Sequence, residues 1–380
     1  MLTTLAVANY RSLRDLVIPL GRLTLVTGAN GSGKTSLYRA LRLLAETAQG
    51  RLIATLAQEG GFTSTLWAGP ETISRTMRQG RVPIQGGPRS KPISLALGFA
   101  GDAYGYAIDL GMPSPENPFP LDPVIKGEAM WTGERLSRSS LFAERRNALV
   151  RLRMSDSGVW REAMDALSPF DSMVTHCADP ADGFELLSMR ERMRDWRFYD
   201  ALRTDPDAPA RRPGIHTYTP VLASDGADLA AALATIRVIG DARTLDETIE
   251  AAFPGSRLLD DPAGLRLRQH GLLRPLGPTE LSDGTLRFLL LVAALLSPRP
   301  PELMVLNEPE ASLHPSLMPP LAHLLKTAAR QTQIVLVSHS AALIAALREV
   351  GGCEEVRLEK SFGETAAPDC EGPAWTWPKR

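Results

Sequence analysis

Glycines, a lysine and a hydroxyl at fixed spacing make Gly28-Ala29-Asn30-Gly31-Ser32-Gly33-Lys34-Thr35 a phosphate-binding pattern, G-x-x-x-x-G-K-[ST]. Such glycines let the backbone fold around an anion with its N–H groups inward, and a following helix N-terminus adds partial positive charge. In this pattern Asn30, Gly31, Ser32, Gly33 and Ser36 line the cradle. Lys34 reaches the β- and γ-phosphates of a nucleoside triphosphate, and the Thr35 hydroxyl ligates Mg²⁺. A second candidate is Leu303-Met304-Val305-Leu306-Asn307-Glu308-Pro309, an apolar run ending in polar residues. A carboxylate at such a strand tip can orient and deprotonate a water, so Glu308 is a candidate general base. Alone, Glu-Pro-Glu also reads as a capped turn. In Ile334-Val335-Leu336-Val337-Ser338-His339-Ser340, His339 follows a third apolar run and is placed to meet a γ-phosphate or its attacking water. Alone, it reads as a structural histidine. Leu281-Ser282-Asp283-Gly284-Thr285 opens an apolar helix, either as a plain N-cap or as an anion site built from Ser282, Gly284 and the helix start.

These residues need strands and helices to hold them. Leu23 to Thr27 reads as a buried strand before the glycine loop, and Leu37, Ala40, Leu41, Leu44, Ala45 and Ala48 recur at helical spacing after it. Strands are expected at Leu5 to Tyr10 and Leu16 to Leu20, with Arg11-Ser12 in the turn, and a hairpin at Ile93 to Phe99 and Tyr104 to Leu110. From Gly264 the pattern alternates: strand, helix from Thr285, strand from Leu303, helix from about Pro320, strand from Ile334, helix from Ala341. That alternation argues for a parallel sheet with helices on its faces. Between them, prolines crowd Met112 to Pro123. Trp131–Leu152, Gly158–Leu167, Gly183–Leu202 and Ala227–Ile239 then read as helices separated by Pro169, Pro180, Pro206, Pro209, Pro213 and Pro220. The expected architecture is α/β, a split domain over 1–110 and 264–360 with a mixed or parallel sheet flanked by helices. A mainly helical insertion over 111–263 and a tail over 361–380, capping the sheet edge, complete it.

Composition narrows the class. Net charge is −1 over 380 residues, so no global basic field recruits nucleic acid. Cys177, Cys353 and Cys370 match neither a zinc spacing nor a disulfide framework, and a reducing cytoplasm is the simplest expectation. The N-terminus does not read as a signal peptide, and the longest apolar run, Phe288 to Leu296, falls short of the roughly 20 residues that cross a bilayer.

In this order the four motifs resemble the heads of ABC-type ATPases, and more narrowly the branch holding the SMC, RecF and OLD-like proteins. Ala8-Asn9-Tyr10-Arg11-Ser12-Leu13 ahead of the glycine loop and Leu306-Asn307-Glu308-Pro309-Glu310-Ala311-Ser312-Leu313-His314-Pro315 are typical of that branch. The resemblance covers about residues 1 to 110 and 264 to 350. It implies ATP and Mg²⁺ at Gly28–Thr35, catalysis by Lys34, Glu308 and His339, and Asn307 on the metal through water. It also implies Arg11 near the nucleotide and Ala311–His314 crossing a dimer interface. Ser282 and Gly284 stand in the position of the L-S-G-G-Q signature, so the implied assembly is a head-to-tail homodimer with ATP sandwiched between loop and partner signature.

Three departures imply slow turnover: Asn307 in place of an Asp, Asp283 in place of a glycine, and His314 in place of an Asp. Gln58, Gln79 and Gln85 are equal candidates for the glutamine of the metal shell. The same resemblance implies a role in DNA transactions, in repair or phage defence. A stripe of Arg135, Arg138, Arg145, Arg146, Arg151, Arg153, Arg190, Arg192, Arg194 and Arg197 is a candidate DNA contact. Its other reading is a solvated face paired to Glu144, Glu191 and Asp195. Alternatives are the ATP-binding subunit of a transport complex, disfavoured by the long separation from Thr35 to Leu281, and a nucleotide-switched regulator that ignores DNA. A small-molecule kinase lacks the Leu281–Thr285 element. Too little chain follows the last helix for a nuclease domain, so any cutting is expected from a separate nuclease or effector.

Overall fold

The computed structural model describes the chain except residues 88, 89, 91, 155, 156, 180–182, 201, 260–263 and 380. Pro180 and the expected boundary at residue 263 therefore lie outside the described residues. The chain divides into two compact units, Met1–Leu20 with Thr27–Asp195 and Val356–Arg380, and Gly21–Val26 with Trp196–Glu355.

In the first unit, β1 (Leu2–Tyr10) and β2 (Leu13–Pro19) form an antiparallel hairpin, with Arg11 at φ +50° in its turn. β3 (Leu23–Gly28) follows; its residues up to Val26 belong to the second unit, and the chain then enters the glycine loop and α1 (Lys34–Ala48). α2 (Leu52–Gln58), α3 (Phe62–Thr65) and α4 (Arg75–Arg78) are short. β4 (Leu95–Gly101), β5 (Tyr104–Gly111), β6 (Val124–Thr132), β7 (Leu141–Arg146), β8 (Leu149–Arg153) and β9 (Trp160–Met164) complete an antiparallel sheet in the order β2-β1-β4-β5-β6-β7-β8-β9. The apolar stripe of α1 packs on β1 and β4, and every residue of β4 is buried. α5 (Met173–His176) and α6 (Phe184–Asp195) lie beside α1.

This sheet corrects the expectation for the middle of the chain. Residues 131–152 and 158–167 were expected to be helical, and they are strands and turns instead. Two features hid the alternation. Glu128 on β6 and Arg145 on β7 are cross-strand partners, both fully buried, so charges stand at core-facing positions. Register shifts at Asp109/Leu110, Met130/Trp131 and Val150/Arg151 also break the period of two. The helix expected over 183–202 stops at Asp195 because Arg197–Tyr199 becomes a strand, β10.

The second unit is parallel. After β10 come α7 (Leu229–Ile239), α8 (Ala242–Ala252) and the small antiparallel pair β11 (Arg257–Leu259) and β12 (Arg266–Arg268). Then follow α9 (Asp283–Leu295), β13 (Leu303–Asn307), α10 (Met318–Ala328), β14 (Gln333–Val337) and α11 (Ala341–Val350). Strand order is β10-β13-β14-β3, each neighbour parallel. Asn307 pairs with Val337, and Val337 with Val26, so the C-terminal ends of three strands are level. α9 is apolar almost all round and buried from Phe288 through Leu295, the pattern of a central helix.

Back in the first unit, β15 (Glu354–Ser361) and β16 (Glu364–Ala366) form a hairpin. The tail beyond it lies over the face of the antiparallel sheet and against its edge strand β2, where a Cβ on Gly372 would lie 2.5 Å from the Val17 carbonyl. Trp375 meets Trp131 and Trp377 edge-on at 5.6 and 5.4 Å and covers Ala100, Ala107 and Ala129. Among the described residues no helix is long and apolar enough to cross a membrane.

Candidate functional site

The glycine loop has the backbone its sequence demands. Gly28, Gly31 and Gly33 have φ of +145°, +78° and +106°, conformations that side chains other than glycine rarely adopt. A Cβ at Gly28 would lie 2.3 Å from the Leu358 carbonyl, and one at Gly33 2.3 Å from Thr365 Oγ1, whereas Gly31 faces open space. Ser32 N–H donates to the Ala29 carbonyl at 3.1 Å. Lys34 Nζ donates to the carbonyls of Gly28 (2.7 Å) and Ala29 (3.0 Å), so the ammonium curls over the loop it closes. Asn30 and Thr35 are exposed, Ser36 is half-buried, and the Ser32 hydroxyl is buried without a hydrogen-bond partner. No local signal marks the brace beneath this loop. Thr365 Oγ1 donates to the Ser32 carbonyl at 2.7 Å and lies 2.8 Å from Ser12 Oγ.

In the second unit the candidate base and histidine meet. Glu308 follows β13 directly, at φ +49°, and its Oε1 lies 3.1 Å from His339 Nδ1. The unusual backbone is held from both sides: Glu308 N–H donates to the Val337 carbonyl, and its carbonyl accepts from Arg287 Nη2 and Ala311 N–H. Glu310 is buried. Its Oε1 accepts from Ser338 Oγ at 2.5 Å and from the N–H groups of His339 and Ser340, while its Oε2 has no partner. Arg287 comes from α9 and also donates to the Leu202 carbonyl; burial lowers its pKa, opposed by the Glu310 charge. Asn307 Oδ1 is buried without a partner, a neutral oxygen of the kind that suits a hydrated hard cation.

The signature-like segment sits at the start of α9. Ser282 is the N-cap, accepting from Thr285 N–H at 3.2 Å. A Cβ on Gly284 would lie 3.1 Å from the Ser312 carbonyl, so this glycine brings the segment against Ala311–His314. Ala311, Ser312 and His314 are exposed. Asp283 is bound by Arg211, 2.7 Å away.

The remaining candidates separate. Arg11 donates to Glu59 Oε2 at 2.6 Å and stands over the Tyr10 ring, whose hydroxyl donates to the same carboxylate. Gln58, Gln79 and Gln85 are all exposed, and nothing in the structure distinguishes them. The arginine stripe is interrupted and largely ion-paired. Arg145 is fully buried, Arg146 and Arg151 pair with Glu144, and Arg190 and Arg194 pair with Glu191.

A family model described as an AAA ATPase domain matches residues 1–66. A second, an AAA domain whose description names the AbiEii toxin and a Type IV TA system, matches residues 174–345. The OLD nuclease of Thermus scotoductus is 50% identical over 44 residues, 12% of this chain and 8% of that protein. The match thus spans under a tenth of that relative.

Two solved SMC heads share the fold at 13% identity. One, bound to the C-winged helix domain of ScpA, has a TM-score of 0.50 over 96% of this chain and 97% of that one. The other, with an extended coiled coil and bound to the C-terminal domain of ScpA derived from Pyrococcus furiosus, has 0.51 over 96% and 95%. Fold and matches define an ATPase of the P-loop class. The chain has the fold of those SMC heads and, over 44 residues, resembles the OLD nuclease.

Proposed function

We propose that the chain binds ATP with Mg²⁺ at Gly28–Thr35, hydrolyses it slowly, and closes head-to-tail with a second copy around the nucleotide. The observation that carries this reading is the Glu308–His339 pair, 3.1 Å apart at the level ends of β13 and β14. Lys34 exchanges its loop carbonyls for the β- and γ-phosphates. Glu308 takes the proton of the attacking water, and His339 steadies that carboxylate and the γ-phosphate. Thr35, and Asn307 through water, hold Mg²⁺, which supplies charge neutralisation on the phosphates. Ser282 and Gly284 of the partner copy complete the site, and Arg11 lies toward the nucleotide. Asn307 in place of a charged ligand makes for weak metal affinity and slow turnover. DNA is the partner favoured by the kinship with SMC and OLD proteins, working with a separate nuclease or effector in the cytoplasm.

The test is the Glu308→Gln variant, sized with ATP and Mg²⁺, with and without duplex DNA. Loss of the general base should lower turnover about 10²-fold or more while closure survives, so dimer accumulates. Monomer at saturating ATP would count against the sandwich, and undiminished turnover against Glu308. DNA that leaves the dimer fraction unchanged at low salt would remove the nucleic-acid part of the proposal.

A further inference from the structure

Asp283 is an awkward residue at the start of α9. In the first turn of a helix a carboxylate is stabilising, because it faces the positive end of the helix dipole. The same position opposes any incoming polyphosphate, and the Asp283 side chain is 61% exposed. Arg211, 72 residues earlier, answers both demands. Its side chain is 7% exposed, and every nitrogen of the guanidinium is engaged. Nε donates to the carbonyls of Thr204 (2.8 Å) and Asp205 (3.2 Å). Nη1 donates to those of Pro278 (2.7 Å) and Leu281 (2.9 Å), and Nη2 to Asp283 Oδ1 (2.7 Å). Leu281 and Asp283 are the two neighbours of Ser282, so one buried cation fixes the backbone before the N-cap and the charge after it.

We infer that Arg211 is a positioning residue of the signature-like segment. It cancels the Asp283 charge and holds Leu281–Asp283 rigid, so that Ser282 and the α9 amides can receive the triphosphate carried by a second copy. The inference rests on the sandwich reading above. With its guanidinium taken up by four carbonyls and a carboxylate, Arg211 acts through Ser282 and Asp283. Arginine suits the task and lysine does not, because only a planar fork can reach four carbonyls and a carboxylate together.

The test uses the full chain in the Glu308→Gln background and reads the ATP concentration at which half the protein is dimeric. Arg211→Gln should raise that concentration about tenfold or more, since an uncompensated like charge then faces the phosphates. Adding Asp283→Asn should recover most of the loss, and Arg211→Lys should fall between. A fluorescent ATP analogue, titrated at protein concentrations below dimerisation, should bind Arg211→Gln as it binds the parent, because the glycine loop is untouched. Dimerisation of Arg211→Gln at the parent's ATP concentration overturns the inference alone, as does a defect that Asp283→Asn leaves in place. A parent that never dimerises overturns the sandwich reading and the inference with it. Should Arg211→Gln lose its cooperative melting, Arg211→Lys decides: a shift of about threefold is expected, and none refutes the role.

Discussion

Each unit buries a carboxylate beside an arginine, and the two clusters are finished to different degrees. In the antiparallel unit, Glu128 Oε1 accepts from Tyr106 at 2.6 Å and from the Ser172 hydroxyl, and Oε2 accepts from Met173 N–H at 2.9 Å and Arg145 at 3.2 Å. Arg145 spends its other bonds on the carbonyls of Asn147, Ser168 and Asp171. This cluster ties a loop and a short helix to the sheet and leaves nothing over. In the parallel unit, Glu310 Oε2, Arg287 Nε and Asn307 Oδ1 are all buried without partners. A buried group left unpaired costs about 1–3 kcal/mol, so within the protein this cluster is less fully satisfied than the first. It surrounds Glu308, whose own backbone is in a strained region. A complete network is a structural rivet; an incomplete one marks where chemistry or a change of arrangement is expected.

Three substitutions or conditions sharpen that contrast. Arg145→Met should be the most damaging, lowering unfolding free energy in urea by about 3–5 kcal/mol, because Glu128 is left buried and charged. A loss near zero would mean that the cluster is not a rivet. Glu310→Gln should cost only about 1 kcal/mol, since one oxygen already lacks a partner. It should nonetheless slow ATP turnover about tenfold by loosening the Ser338-His339-Ser340 anchor, a charge-assisted set of bonds. Equal losses of stability in the two variants would erase the distinction drawn between the units.

Alkaline pH should produce the mildest effect, and in the riveted unit two groups carry it. Burial, and then the Glu128 charge, raises Tyr106 well above its ordinary value and pushes the Cys177 thiol up to about 11. Both groups keep their protons in the folded chain at a pH where the unfolded chain has lost them. Their stabilisation is therefore complete below pH 9 and is lost as the pH rises toward 11. Unfolding curves at pH 8 and 10.5 that coincide would rule this out.

How much of this was legible varies with distance along the chain. The strand, loop and helix around Gly28–Thr35 were readable because every signal is local: apolar run, glycines, helical spacing. The same holds for the apolar runs that became β13 and β14 and the N-cap that starts α9. The strands between residues 124 and 164 were not readable, because Glu128 and Arg145 neutralise one another across β6 and β7 and so look like surface charges in one dimension. Arg211, Arg287 and Thr365 escaped for a related reason. Each makes its decisive contact 72, 85 or 353 residues away, and nothing beside it in the sequence marks its future partner.

The sequence by itself determined the phosphate loop, the order of its companion motifs and the alternating half of the fold, because backbone preference and side-chain period act over a few residues. Only the tertiary structure decided that strands fill residues 124 to 164, that Arg145 is buried against Glu128, and that Asp283 is paired with Arg211. Those outcomes depend on which charges are buried together. That is a property of the folded chain, where a partner can come from anywhere.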